Sequence, residues 1–265
     1  MYPAGQHNIT IDSGSESVVW SLETTNMTRL NMDVSNGLNR EVAFKLLSGS
    51  DWGPTITNAA NMFAQCHKMT GDVSSFTMSN IKDTTRLFFN CWDLDIDVSG
   101  WNPANLAKCS QMFAGCHQFN SVVTFNIPKA TQKIENMFRD CGSFNSAVTI
   151  ASSTSSLKNT FNNCAIFNQS IAHWPVSTVE SFEGMFEDAK AFNQPLDNLN
   201  GTTAKQFGSM FDGAEAFNQD ISGWGTENAQ NLGRMFQNAK AFNQDISSWS
   251  TLDVTNMRQT FANAT

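Results

Sequence analysis

Apolar residues recur along this chain at a fixed interval. One phenylalanine returns at Phe63, Phe88, Phe113, Phe138, Phe161, Phe186, Phe211, Phe236 and Phe261, spaced by 25 residues except for a single gap of 23. Counting from that Phe as position 0, other columns appear. Position −1 holds Met62, Leu87, Met112, Met137, Met185, Met210 and Met235. Position +3 holds Cys66, Cys91, Cys116, Cys141 and Cys164, then Ala189, Ala214, Ala239 and Ala264. Position +6 turns from Met69 and Leu94 to Phe119, Phe144, Phe167, Phe192, Phe217 and Phe242, and position +10 is Val, Ile or Leu from Val73 to Ile246. Trp101, Trp174, Trp224 and Trp249 share position +13. Apolar residues three or four apart predict a helix-like part in each repeat, and the Val/Ile column predicts a short strand. Neither part buries its apolar side alone, so the repeats are expected to stack as a solenoid of about nine coils, each stabilised chiefly by its neighbours.

A polar column runs beside the apolar ones. Asn120, Asn145, Asn168, Asn193, Asn218 and Asn243 each follow the second aromatic. Stacked asparagines at a turn are expected to bond the backbone of their own and the adjacent coil, a structural ladder like that of the +3 cysteines. Just beyond lie Gln169, Gln194, Gln219, Gln244, Asp220 and Asp245, expected to form an exposed polar stripe and the ligand-binding surface. Residues 1–50 do not follow the columns; alternation around Ile9 and Val18 predicts a β-hairpin there, a cap on the solenoid of residues 51–265, whose last coil is incomplete. The C-terminal coil shows no cap and is expected to self-associate.

Charge and chemistry narrow the function. The net charge of −8 leaves no basic footprint for nucleic acid, and no apolar run is long enough for membrane insertion. The start of the chain does not read as a signal peptide. His67 and His117 share a column two coils apart, too far to hold one metal ion together. Cys109 falls in the apolar column at −4, so all six cysteines are expected to be reduced core residues. Nucleophile elbows, HExxH pairs, P-loops and dinucleotide fingerprints are absent, so no catalytic residue, metal or cofactor is assigned. Asp220 and Asp245, one coil apart, resemble a carboxylate pair, but Asp72 and Asp97 repeat the position, which makes it a turn feature.

The run from Met235 through Phe242, Asn243, Gln244, Asp245 and Ile246 to Trp249, followed by Val254-Thr255-Asn256-Met257, closely resembles the BspA-type leucine-rich-repeat surface proteins. The match is to their 25-residue subclass, found in mycoplasma lipoproteins, other bacteria, protists and algae, and it covers about Ile56 to Thr265. It implies a leucine-rich-repeat-like solenoid with one short parallel strand per coil and helical or irregular turns opposite. It also implies a cell-surface or extracellular location and non-enzymatic adhesion to a protein or glycan, and it carries over no catalytic residue. Two alternatives stand beside this one: a structural component of a viral fibre or envelope layer, and, third, a polysaccharide-acting enzyme.

Overall fold

A computed structural model describes residues 56–71, 73, 76, 78–125, 132–199 and 204–264, together with the backbone of 6–12, 17–23 and 44–46. Near the N-terminus β1 (Gln6–Asp12) pairs antiparallel with β2 (Ser17–Glu23) and with β3 (Phe44–Leu46). Strand β3 in turn pairs parallel with β4 (Met69–Gly71), Phe44 opposite Met69. That offset equals the repeat length, so the repeat register reaches back to Phe44, although the side-chain columns begin later.

From Ile56 onward, consecutive repeats are joined along position −5. Parallel bridges run Asn58 to Asp83 to Lys108, and Ser156 to Ser181, Gln206, Asn231 and Asn256. β5 (Val123–Phe125) pairs parallel with β7 (Val148–Ile150), and β6 (Gln132–Lys133) with β8 (Thr154–Ser156). The register shifts at Gln132/Lys133, within the approach to the 23-residue interval. Val123 and Val148 thus lie in strands, whereas Ile171, Leu196 and Ile221 are equally buried but outside any strand.

The segment around the repeat Phe is built from turns, not from the helix its spacing predicts; among the described residues the single helix is a 3-10 turn at Asp197–Leu199. The cause is conformational. Positions −2 and +2 are left-handed in every repeat: φ runs from +53° at Asn159 to +64° at Gln65 among non-glycines, and reaches +76° at Gly115. An α-helix cannot continue through such residues, and Asn, Asp and Gly tolerate them best. The backbone bonds alternate accordingly. In the repeat of Phe186, the amides of Met185, Glu187 and Ala189 turn back to Phe182, Gly184 and Phe186, while those of Phe182, Gly184, Phe186 and Asp188 donate to Gln206, Gly208, Met210 and Asp212 of the next repeat. Half of the donors therefore close the turn and half join the stack, which leaves the buried backbone paired.

The apolar columns coincide with continuous rows of stacked rings. Phe138, Phe161, Phe186, Phe211 and Phe236 follow one another at centroid distances of 5.6 to 5.7 Å with their planes nearly parallel, and each is wholly buried. The +6 row runs alongside and interleaves with it, Phe192 lying 3.8 Å from Phe186. Offset stacking of this kind adds to area burial, so each ring is held by the repeat before and the repeat after.

Candidate functional site

Along the asparagine column, each side-chain carbonyl accepts the backbone amide of the next asparagine. Asn120, Asn145, Asn168, Asn193 and Asn218 accept from Asn145, Asn168, Asn193, Asn218 and Asn243 at 2.8 to 2.9 Å. The glutamines join the same oxygens. Nε2 of Gln169, Gln194, Gln219 and Gln244 donates to Oδ1 of Asn145, Asn168, Asn193 and Asn218 at 2.8 to 3.1 Å. All four glutamines are half-buried, so the predicted exposed stripe separates into two parts: the amides are turned into the ladder, and only Asp220 and Asp245 stand in solvent. Reach explains the difference, since a Gln has one methylene more than the Asn beneath it and extends back over the lower coil.

Asp220 and Asp245 are occupied locally. Each carboxylate accepts the amide two residues on, from Ser222 at 2.9 Å and Ser247 at 2.8 Å, and Asp97 does the same with Ser99. These backbone hydrogen bonds hold all three carboxyls below the ordinary range, as in an Asx turn. A carboxyl kept ionised in this way is a poor general acid. Two raised carboxyls lie elsewhere. Burial pushes Glu187 up, helped by the charges of Asp212 and Asp188; burial also raises Asp212, against a hydrogen bond from Asn238 and the charge of Arg234.

The six cysteines are buried, and none is in a disulfide among the described residues. Thiols of Cys91, Cys116 and Cys141 each donate to the carbonyl of the repeat Phe one coil back, at 3.0 Å to Phe63, Phe88 and Phe113, and Cys164 reaches Phe138 at 2.9 Å. Burial raises the thiols of Cys91, Cys116, Cys141 and Cys164, and brings that of Cys109 to about 12. These are packing cysteines with a weak sulfhydryl bond, the inert end of cysteine chemistry. Between His67 and His117 sits the exposed ring of Trp92, 3.8 Å from the first and 6.1 Å from the second. His117 Nδ1 is engaged with the carbonyl of Asp140 at 2.9 Å.

A groove of about 350 Å³ crosses the repeats of Phe186 to Phe261 on the flank that carries positions −5 to −2. Its walls include Glu183, Ser209, Asn231, Arg234, Asn256 and Arg258. The floor is low because position −3 is glycine in two successive repeats, Gly208 and Gly233, where others carry Glu183 or Arg258. A Cβ on Gly208 would come within 2.6 Å of Asn231 Nδ2, and one on Gly233 within 2.5 Å of Asn256 Nδ2, so a larger residue at either position would push an asparagine side chain aside. The two asparagines are tied to each other, Asn256 Nδ2 donating to Asn231 Oδ1 at 2.8 Å. Arg234 Nε donates to the neutral Gln237 at 3.2 Å and Glu183 pairs with Lys158 at 2.9 Å, so among the described residues neither Arg234 nor Arg258 forms an ion pair. Sequence reading passed over this site. The readable signal was the pair of glycines within one column, flanked by charges of both signs.

Residues 26–151 and 155–265 match a protein family described as "Mycoplasma protein of unknown function, DUF285". The chain belongs to this family. No curated protein and no solved structure matches it. DUF285 membership agrees, at the level of a mycoplasma repeat family, with the BspA-like resemblance of the repeats. The match starts at residue 26, well ahead of the first Phe column, in keeping with the register that β3 shares with β4. Among the described residues no helix is long and apolar enough to cross a membrane, and no three His, Cys, Asp or Glu side chains are grouped to hold a metal ion.

Proposed function

We propose that this DUF285 protein is a leucine-rich-repeat-like solenoid of the 25-residue BspA subclass, working at the cell surface as a non-enzymatic recognition module. It binds a protein or glycan on a lateral face, and the groove between Glu183 and Arg258 is the centre of that face. The groove itself carries the reading. Polar rows such as the asparagine ladder are spent on the stack, whereas here two guanidinium groups with no ion pair among the described residues border a shallow polar trough spanning several repeats, beside Asn231, Asn256 and Gln259. Such a set suits hydroxyl and carboxylate groups, which planar guanidinium forks recognise by paired hydrogen bonds. A ligand of the same periodicity, an extended glycan or peptide, would gain from repeated weak contacts.

The test is a glycan and matrix-protein array probed with the 265-residue chain and with an Arg234→Asn/Arg258→Ser double variant. Asn is chosen because position 234 has φ of +59°. The reading expects a ligand whose binding falls at least about tenfold in the double variant, the loss of one or two charge-assisted bonds. Unchanged binding by a variant with wild-type circular dichroism would remove the groove from the account.

A further inference from the structure

The repeat of Phe138 breaks two rows that its neighbours keep. The first is the side-chain column at +4, just beyond the cysteines. It runs from the rings of His67, Trp92 and His117 to Gly142 and then Ala165, and is charged thereafter, Lys240 pairing with Glu215 at 2.8 Å. A stacked set of rings thus ends on a position with no side chain. The backbone does not demand that glycine: Gly142 is not left-handed, and a Cβ built on it would meet no atom within 4 Å, whereas Gly115, Gly184 and Gly213 are both left-handed and crowded.

The second row is made by the backbone. Along it the amide at +5 donates to the +4 carbonyl of the preceding repeat. Asp93 donates to His67 at 2.9 Å, Gln118 to Trp92 at 3.2 Å and Ser143 to His117 at 3.1 Å, and the row resumes at 3.1 Å from Ala191 to Ala165, Ala216 to Lys190 and Ala241 to Glu215. The link due between Ile166 and Gly142 is missing, and neither the Ile166 amide nor the Gly142 carbonyl has another partner among the described residues. The two breaks coincide. Gly142 leaves the place of one side chain vacant next to the ring of His117, with one carbonyl and one amide open beside it. Ile166 is 50% exposed at the same spot, in a column where earlier repeats carry Lys68, Asp93, Gln118 and Ser143. The ring of His117 is held in place, its Nδ1–H donating to the carbonyl of Asp140 at 2.9 Å, which makes Nε2 of the neutral imidazole an acceptor.

We propose that this gap binds an N-acetylated aminosugar residue of a glycan: the acetamido N–H donates to the Gly142 carbonyl, its C=O accepts the Ile166 amide, its methyl group lies on Ile166, and the C–H face of the pyranose packs on His117. The occupant follows from complementarity. One open donor and one open acceptor side by side match a single secondary amide, and an aromatic ring with an aliphatic neighbour suits the apolar parts of such a sugar. Peptides also carry amides, but a strand added along an edge needs a succession of open groups. Here the links on either side, Ser143 to His117 and Ala191 to Ala165, are closed. The site lies on other repeats and other columns than the groove and is independent of it.

The experiment titrates the 265-residue chain with chitotriose, a β-linked oligomer of N-acetylglucosamine, and with cellotriose, the same linked rings without acetamido groups. Calorimetry measures the affinity and two-dimensional NMR follows the Ile166 amide. The expected result is a shifted Ile166 amide with chitotriose and binding at least about tenfold weaker with cellotriose, the loss of the acetamido hydrogen bonds. Gly142→Trp fills the gap and should abolish binding with an unchanged circular dichroism spectrum, and Ile166→Ser, at an exposed side chain, should weaken it. Arg234→Asn/Arg258→Ser should bind chitotriose like the wild type, which separates this site from the groove. Equal binding of the two trisaccharides, an unmoved Ile166 amide, or undiminished binding in Gly142→Trp or Ile166→Ser would overturn the proposal. So would tighter binding of N-acetylphenylalanine amide than of N-acetylglucosamine, which would assign the gap to a peptide.

Discussion

Removing one asparagine from the middle of the ladder should cost far more than removing one from its edge. The oxygen of Asn193 accepts two donors, the amide of Asn218 and Nε2 of Gln219, each at 2.9 Å. In Asn193→Ala both lose it. The Gln219 amide keeps the Asn193 backbone carbonyl at 3.1 Å, so one donor is stranded outright and one is weakened. Both groups are half-buried, which places the loss in the lower part of the range for unsatisfied donors, about 1–2 kcal/mol. Asn243 occupies the same column, but its side chain accepts nothing among the described residues, so Asn243→Ala is expected to cost under about 0.5 kcal/mol, as at an ordinary surface site. The intrinsic cost of placing Ala at this turn is common to both and cancels in the comparison. Asn193→Asp retains the acceptor and should fall close to wild type. Urea unfolding of the three variants, read by circular dichroism and compared at constant m-value, measures the differences. Equal losses for Asn193→Ala and Asn243→Ala would refute the reasoning, as would Asn193→Asp being as damaging as Ala.

Two further outcomes follow from the titrating groups. The cysteines should react slowly with thiol reagents in the native protein, and all six should react after unfolding without reductant; fewer than six would reveal a disulfide. Because burial raises their folded values, the neutral thiols favour the fold below the ordinary value of 9.0, and that contribution is lost as pH climbs from 9.0 toward the value of about 12 at Cys109, so alkaline pH should lower the melting temperature over this window. Asp212 has a raised carboxyl for which ionisation is a burden on the fold, a burden that grows as pH rises above the ordinary value of 3.8. Asp212→Asn keeps an oxygen for Asn238 and should raise the melting temperature at pH 7, with a gain that shrinks toward pH 3; a loss at pH 7 would contradict it.

Column identity was readable in the sequence because burial acts on side-chain type alone. Phe63 to Phe261, the Cys-to-Ala column and the ladder asparagines repeat as letters, and each column is a row in space. Conformation was less readable. Apolar residues at −4, −1, +3 and +6 mimic one face of a helix, yet the same spacing arises when successive tight turns point every third or fourth side chain inward. The contrary signal was present in Asn61, Asn136, Asn159 and Gly184 at −2, and in Asn90, Gly115, Asp140, Asn163, Asp188 and Gly213 at +2, residue types that accept left-handed φ. Gln169 to Gln244 were read as exposed because a polar residue beside a turn usually faces water; their engagement depends on a long side chain reaching the coil below, which no periodicity reveals. The groove was hidden for a related reason. It is made by absent side chains at Gly208 and Gly233, and a missing Cβ leaves no mark in a hydropathy pattern.

The central claim is that 25 residues form one interchangeable unit, held to its neighbours by the same rows of rings and backbone bonds. Deleting residues 212–236 tests it most directly, since Phe211 is then followed by Gln237 and every column continues in register. The account predicts a cooperatively folded protein of somewhat lower stability, whereas deletion of residues 212–235, one residue shorter, leaves an extra residue inside the tight turn between the left-handed positions of Ser209 and Asn238 and should destabilise the fold far more. If the two deletions melt alike, or the in-register one fails to fold while the other folds, the repeat is not the unit of this structure.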